Sequence, residues 1–242
     1  MSADTSNRVL TLPHWRVALR PEEYVAERIP TLAGCFETVS NTKVRLRGWD
    51  FPHVPGRHGG HTVGSDHVAA WTEFAGHIEY WRLYQSGQFF TLMAVREAAD
   101  ERWAEQLREL ARSHYGGAVK LDAVPGFFSL LNFLYTVTEI FEFASRLTEA
   151  SVYTGAVEVT IHIRGVQGFG LLPDFDRAWW EHYPLSQGSL GRSWLLPAAE
   201  LVSGRGAAAL EATIWFFERF GWMSIPRETL ALDQRKFLEG TR

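Results

Sequence analysis

One long apolar segment, residues 125–147, most constrains what this chain can fold into. It reads PGFFSLLNFLYTVTEIFEFASRL, with large apolar side chains recurring at helical spacing. The apolar stripe is wide enough to cover nearly the whole circumference of a helix. Such a helix is normally buried on several sides. We therefore expect it to be central, with Leu131 and Leu134 fully buried.

Two acids, Glu139 and Glu142, interrupt this apolar segment. On so apolar a helix, each acid either lies at an exposed edge or is paired with a partner. We expect edge exposure for both side chains. A role for Glu139 that faces a site is the alternative.

Three other segments have the pattern of strands. Residues 79–84 and 89–95 are aromatic or β-branched runs separated by a connection that contains Gly87, which predicts a hairpin. Residues 152–166 and 44–50 alternate between apolar and polar positions, the period of a half-buried strand. The sequence thus predicts an α+β fold in which an antiparallel sheet packs on the long central helix.

The rest of the chain is assigned by weaker signals. No stretch of Pro, Gly, Ser or like charge is long enough for a linker, so we expect a single α+β domain over residues 1–242. Amphipathic spacing or terminal signals predict the helices, and irregular structure is expected where neither signal is present. The assignments are a loose start over 1–13, helices over 21–38, 98–113, 206–222 and 228–240, a short helix over 173–183, and strand and loop over 187–203.

Composition excludes some classes of protein. The formal net charge of −4 argues against a mainly electrostatic nucleic-acid binder, although a local basic patch is compatible with it. The single cysteine, Cys35, allows no internal disulfide and fits a reducing compartment. The first residues lack the pattern of a signal peptide, and the most apolar stretch is too short to span a bilayer. We expect a cytoplasmic protein with no membrane association.

Histidines concentrate in one glycine-rich segment. Five of the nine lie between His53 and His77, accompanied by Asp50 and Asp66. Imidazoles and carboxylates are ligands for zinc, iron or manganese. However, no HExxH motif is present, and no predicted helix or strand holds these side chains. We expect residues 56–65 to form a mobile surface loop without a closed metal site, and we expect no cofactor.

Polar groups interleaved with aromatic ones are the better signal for a binding site. Arginine binds carboxylates and phosphates through paired hydrogen bonds, and indole rings supply flat apolar walls. This combination suits a small molecule with a planar or anionic part, a nucleotide included. The candidate ligand-binding residues are Trp49, Asp50, His53, Glu79, Trp81, Arg82, Gln85 and Gln88.

Within this set, we expect Asp50, His53 and Arg82 to share one partly exposed polar cluster. Arg82 would bind an anion there or neutralise Asp50. The alternative is a structural salt bridge between Arg82 and Glu79 or Asp50. Regular alternation along the hairpin would place Arg82 on the other face of its strand.

Three motifs, RGWDFPH, EYWRLYQSGQF and TEIFEFASRL, start at Arg47, Glu79 and Thr138. Together they resemble a group of poorly characterised bacterial proteins that read RGWDYPH, EYWRFYQSGQF and TEIYEFASRL. Some of those proteins resemble proteins with a Schlafen-type domain that is ascribed DNA binding. The resemblance implies a shared structural unit and brings no established activity.

The sequence favours a ligand-binding or sensing module, in a bacterial regulatory or defence system by the resemblance. A protein partner is a further hypothesis, and nucleic-acid binding and catalysis are left open. One alternative is a metal-dependent hydrolase or nuclease that uses Asp50, His53 and the loop histidines. Another is an assembly subunit without a ligand of its own.

Overall fold

The computed structural model describes residues 2–117, 119–173 and 181–240. Its fold is α+β, built on a seven-stranded antiparallel sheet in the order β2-β3-β4-β5-β1-β7-β9. A separate parallel pair joins β6 to β8. The strands are β1 (His14–Pro21), β2 (Gly59–Val63), β3 (His67–Phe74), β4 (His77–Tyr84), β5 (Phe89–Ala94), β6 (Phe127–Ser129), β7 (Ala156–Arg164), β8 (Gly170–Leu172) and β9 (Ser189–Pro197).

Helices cover both faces of the large sheet. On one face lies the main hydrophobic core, to which α2, α5 and α6 contribute. On the other face α1 packs over the part formed by β4 and β5. The helices are α1 (Ser2–Leu10), α2 (Leu32–Thr42), α3 (Arg96–Ala99), α4 (Glu101–Tyr115), α5 (Leu130–Glu149), α6 (Ala198–Arg219) and α7 (Arg227–Glu239). Over the described residues, none of them combines the length and apolar character needed to cross a bilayer.

The central position of α5 confirms the prediction from its apolar stripe. The helix begins later than expected because residues 127–129 extend into β6, and the Ser129 hydroxyl then caps the first turn by accepting from Asn132 N. Leu134 is fully buried, as expected. The prediction for Leu131 is wrong, because it lies with Asn132 and Tyr135 on a side of the first two turns that is only partly covered.

The predicted hairpin is also confirmed, as β4 and β5. Tyr84 N donates to Gln88 O across the turn (2.9 Å), and Gly87 takes a φ of +83° that other residues adopt only with strain. Alternate side chains of β4 point to opposite faces of the sheet. Glu79 and Trp81 therefore face the main core, while Arg82 faces the other way.

Residues 44–50 do not form the predicted strand. The chain doubles back instead, so that Val44 and Phe51 pair with each other in a single antiparallel bridge. Val44 N donates to Phe51 O (2.7 Å), and Gly48, with φ at +88°, allows the tight reversal between them. Apolar and basic residues alternate here because Arg47 points inward to Glu139 on α5, and not because the segment is a strand.

The N-terminal third departs from prediction in two further places. The expected loose start is the helix α1, which the burial of Val9 against Ile78 and Leu92 holds on the sheet. The helix expected over 21–38 is wrong at its start, because residues up to Pro21 form β1. The helix α2 begins only after Thr31, whose hydroxyl accepts from Gly34 N (3.0 Å).

Among the other segments, the strand over 152–166 and the helices over 98–113 and 228–240 are confirmed as β7, α3 with α4, and α7. Residues 187–203 divide into β9 and the start of α6, which begins at Ala198 rather than at Gly206. The expected loop over 56–65 contains the strand β2. This strand lies at the sheet edge and is mostly exposed, so its residues do not alternate between buried and exposed positions. Of the short helix predicted over 173–183, residues 174–180 lie outside the described residues.

The difference in burial between two leucines of α5 gives a stability test. Leu134→Ala should lower the free energy of unfolding by about 2–5 kcal/mol, because it empties a fully enclosed site. Leu131→Ala is the matched control on the same helix and should cost clearly less, because its side chain is only half-buried. Urea unfolding of both variants measures this. Equal losses would contradict the position of α5 described here.

Candidate functional site

Arg47 forms a buried ion pair with the central helix. Its Nε donates to Glu139 Oε2 (3.0 Å), and its Nη2 donates to the same oxygen and to Thr136 Oγ1 (3.2 Å). Only 10% of the Arg47 side chain and 1% of the Glu139 side chain are exposed. The expectation that Glu139 lies at an exposed edge is therefore wrong.

Glu142, expected at an exposed edge like Glu139, is also buried and paired. Its carboxylate accepts from Arg146 Nε (3.2 Å) and from Arg205 Nε (2.5 Å). Both acids of the apolar helix are thus neutralised by arginines, two of which come from distant parts of the chain.

Asn132 extends this network to a second buried acid. It accepts from Arg47 Nη1, and its Nδ2 donates to Glu97 Oε1 (2.7 Å). Burial raises the pKa of the Glu97 carboxyl, and burial also raises that of Glu139 although Arg47 opposes the shift. Glu97 Oε2 and Glu139 Oε1 have no hydrogen-bond partner among the described residues. Buried oxygens without partners are costly, which makes them candidates for ligand contact.

Glu79 is a fourth buried acid and binds the backbone at His53. Its Oε2 accepts from His53 N (3.0 Å) and lies 3.2 Å from His77 Nε2, while Thr91 Oγ1 donates to its Oε1 (3.2 Å). Trp81 Nε1 donates to His53 O (2.8 Å). Burial lowers the pKa of the His53 imidazole, with Glu79 opposing, so His53 is neutral at pH 7.

Two guanidinium groups lie near the ring of Trp49. Arg47 Cζ is 5.4 Å and Arg96 Cζ is 4.6 Å from the centre of its ring. Arg96 also lies 4.9 Å from the ring centre of Trp103. These are distances at which an aromatic face attracts a cation.

The side chain of Arg96 makes neither a hydrogen bond nor an ion pair within the described part of the chain, and its buried Nε is unpartnered. Burial lowers the pKa of its guanidinium, with Asp100 opposing, but an arginine in a protein keeps its charge. Arg96 is therefore a charged donor that lies against two indole rings and has no hydrogen-bonded anion among the described residues.

Two neighbouring cavities that share Arg96 lie among these side chains, an inner one and an outer one, and together we call them the cleft. The inner cavity has a volume of about 40 Å³ and is lined by Trp49, Asp50, Arg96 and Glu139, among others. The outer recess has a volume of about 300 Å³ and is lined by Arg96, Asp100, Arg102, Trp103 and Gln106. Arg96 belongs to both, so a ligand in the recess can meet its guanidinium.

Five of the predicted site residues lie near one another, and two of them, Trp49 and Asp50, line the cleft. They share one corner of the molecule, where the loop at 43–53 meets β4: Trp49, Asp50, His53, Glu79 and Trp81. Asp50 itself pairs with Arg45 (2.8 Å) and Lys43 (3.5 Å). Its carboxylate is therefore already neutralised by cations of its own loop.

Arg82 is not part of this cluster, and the expectation that it joins Asp50 and His53 is wrong. It lies on the opposite face of the sheet, where it donates to the hydroxyls of Tyr80 and Tyr84. Those bonds raise the pKa of the guanidinium, against the effect of burial. The period of two along β4 separates Arg82 from Glu79 and Trp81.

Gln85 and Gln88 serve the fold of the hairpin. Gln85 Nε2 donates to Ile29 O (3.2 Å) and Pro30 O (3.1 Å), which fixes the segment before α2. Gln88 O accepts the hydrogen bond that closes the β4–β5 turn. Neither residue lines the cleft described above.

The loop histidines do not converge. His58 and His61 are exposed around the edge strand β2, and His67 Nδ1 lies 2.9 Å from Asp66 Oδ1. Across residues 2–117, 119–173 and 181–240, no three His, Cys, Asp or Glu side chains are arranged to hold a metal ion. Burial, with a smaller effect of Asp66, raises the pKa of the Cys35 thiol to about 11, which makes this cysteine unreactive.

Sequence reasoning missed three residues of the cleft, Arg96, Trp103 and Asn132, and also Glu97, which Asn132 contacts. Two local signals point to them. Arg96 and Glu97 follow one residue after the apolar strand β5, and Asn132 is an amide within a strongly apolar helix. Charges at a strand end and a polar residue in an apolar helix both indicate a buried polar network.

Comparison of the chain with protein-family models, with curated proteins and with solved structures gives no match. The interpretation of the cleft therefore depends on its own geometry.

The Arg47–Glu139 pair gives a second stability test. Arg47→Ala should lower the free energy of unfolding by about 3–5 kcal/mol, because it leaves the Glu139 carboxylate buried without its cation. Arg45→Ala is the control, since its side chain is 67% exposed and its pair with Asp50 is near water, so a loss of at most about 1 kcal/mol is expected. Urea unfolding at pH 7 measures both. A small loss for Arg47→Ala would show that the pair is not isolated from solvent.

The raised pKa of Glu97 gives a pH test. The unfolded chain loses this proton at about pH 4.3, whereas the folded protein retains it at higher pH. Its contribution to stability is therefore fully present below about pH 4.3 and is lost as pH rises through the folded pKa. Glu97→Gln removes this titration, so the stability of the variant relative to the natural chain should rise from about pH 4 to about pH 8. A difference in unfolding free energy that is independent of pH would contradict this.

Proposed function

We propose that the chain is a binding module for a nucleotide or a related aromatic phosphate, held in the cleft at Trp49 and Arg96. One observation carries the proposal. The Arg96 guanidinium lies against Trp49 and Trp103 and has no anion among the described residues. A phosphate or carboxylate would supply the missing partner through two parallel hydrogen bonds.

The indole rings explain why the ligand should be planar. Aromatic rings stack on Trp faces, and such contacts stabilise a bound base whichever of the bases it is. Trp103 lines the outer recess together with Arg96, and Trp49 lines the inner cavity. A ring in the recess and its anionic group at Arg96 would satisfy both features together.

The inner end of the cleft favours a ligand group that donates a hydrogen bond. Glu139 Oε1 is buried without a partner and belongs to a residue that lines the inner cavity. A cavity of about 40 Å³ is large enough for water or for a small substituent only. An exocyclic amino group of a base has the size and the donor that this oxygen lacks.

The pairing and position of the acidic side chains fit a binding module better than a hydrolase. Asp50 is neutralised by Arg45 and Lys43, and the loop histidines lie apart from it. A role in sensing or regulation is the context that the motif resemblance suggests for such binding.

The proposal is tested by calorimetric titration of the protein with AMP, GMP, CMP and UMP. At least one should bind, and Arg96→Lys should weaken its binding by about tenfold or more, because lysine keeps the charge and loses the planar pair of donors. Trp49→Leu should weaken it as well. Phosphate alone should bind less tightly than the best nucleotide, because it lacks the ring.

Arg192→Lys is the matched control for this titration. Arg192 also lies against two indole rings, 5.6 Å from Trp194 and 5.5 Å from Trp215, but it is far from the cleft in the fold, on β9. Its substitution should leave nucleotide affinity unchanged. The absence of binding by all four nucleotides, or equal affinity in Arg96→Lys and the natural chain, would refute the proposal.

A further inference from the structure

A second cavity, with a volume of about 360 Å³, lies beside α4. Its size is within the range of small-molecule sites. Most of its wall is apolar, and the main contributors are Pro13, Ala104, Leu107, Pro125, Phe127 and Phe169. Such a wall favours an apolar ligand body, because burial of apolar surface drives its transfer from water.

Glu97 is the acid in this wall. Only 2% of the residue is exposed, and Oε2 has no hydrogen-bond partner in the described part of the chain. Asn132 Nδ2 already occupies Oε1 (2.7 Å). The backbone N–H groups of Glu97 and Ser129 also act on the carboxylate and oppose the rise in its pKa, but Oε2 itself makes no hydrogen bond to the described residues. This oxygen is available to a ligand, and an unsatisfied buried polar atom is costly.

Arg108 also lines the cavity, but it is committed elsewhere. Its Nη1 donates to Val124 O (3.2 Å) and its Nη2 donates to Pro125 O (3.2 Å). The guanidinium thus holds the chain that leads into β6 and does not neutralise Glu97 within ion-pair distance. Among the described residues no cation forms an ion pair with Glu97, so the site can accept a cation from a ligand.

The geometry points to a binding site for a primary amine carried on an apolar body about the size of one aromatic ring with a short side chain. The ammonium would donate to Glu97 Oε2, and the ring would lie against Phe127, Phe169 and Leu107. Charge-assisted hydrogen bonds of this kind are about twice as strong as neutral ones. The raised pKa of the unliganded carboxyl is consistent with a buried acid that lacks its cation.

This site is separate from the proposed nucleotide cleft. Arg96, Trp49 and Trp103 do not line it, although Asn132 connects Glu97 to Arg47. A failure of nucleotide binding would leave the amine proposal standing, and the reverse also holds, because the two titrations use different probes and different variants.

Titration with phenethylamine, followed by calorimetry or ligand-observed NMR, tests the inference. The natural chain should bind it saturably, and 2-phenylethanol, which has the same shape without the charge, should bind at least about tenfold more weakly. Glu97→Gln should weaken amine binding to a similar degree and should leave the alcohol nearly unaffected. Circular dichroism would show whether this variant folds.

A cavity-filling variant keeps the test decisive if Glu97→Gln does not fold. Ala104→Leu, on α4, extends a side chain into the cavity and should abolish binding of the amine. Ala207→Leu is its control, because Ala207 is an exposed helical alanine of α6. No saturable binding of phenethylamine up to about 10 mM, or equal binding by Ala104→Leu and the natural chain, would overturn the inference.

Discussion

The buried contact between Arg47 and Glu139 is the interaction on which the rest of the site depends. Removing both charges from water is costly, and a buried pair is tolerable only when further hydrogen bonds satisfy the guanidinium. Thr136 and Asn132 on the same helix supply them. The pair therefore ties the loop at 44–51 to α5 in one orientation, which sets the position of Trp49 and of the corner at His53.

Around this pair the interior holds more polar groups than the fold needs. Glu79, Glu97 and Glu139 are all buried. Of these three, only Glu139 accepts a hydrogen bond from a group that is always charged, the guanidinium of Arg47, because the partner of Glu79 is a histidine. Arg96 is a nearby guanidinium without an anion. A partly satisfied network is less stable than an apolar core of the same shape. The proposed ligand binding would account for keeping such a network beside a cleft, since stability alone does not favour it.

The sequence predicted those parts whose burial follows a regular period. The helix α5, the β4–β5 hairpin and the strand β7 each have a long uninterrupted apolar pattern, so neighbours in sequence determine them. Arg47 and Glu139 are 92 positions apart. No local pattern reveals such a contact, which is why residues 44–50 resembled a strand and Glu139 an exposed acid. The partial cover over Leu131 and the pairing of β1 on both sides likewise depend on tertiary packing.

The three sequence motifs acquire a physical meaning from these contacts. RGWDFPH supplies Arg47 and the backbone of His53, TEIFEFASRL supplies Glu139, and EYWRLYQSGQF supplies Glu79 and Trp81, which bind that backbone. The motifs thus interlock as one support that places Trp49. By contrast, Arg96 and Trp103 lie outside all three motifs, on α3 and α4. On the proposed function, ligand contacts from outside a shared support would allow proteins with the same motifs to bind different ligands. The motifs would then determine the fold of this corner, and the residues around Arg96 would determine the choice of ligand.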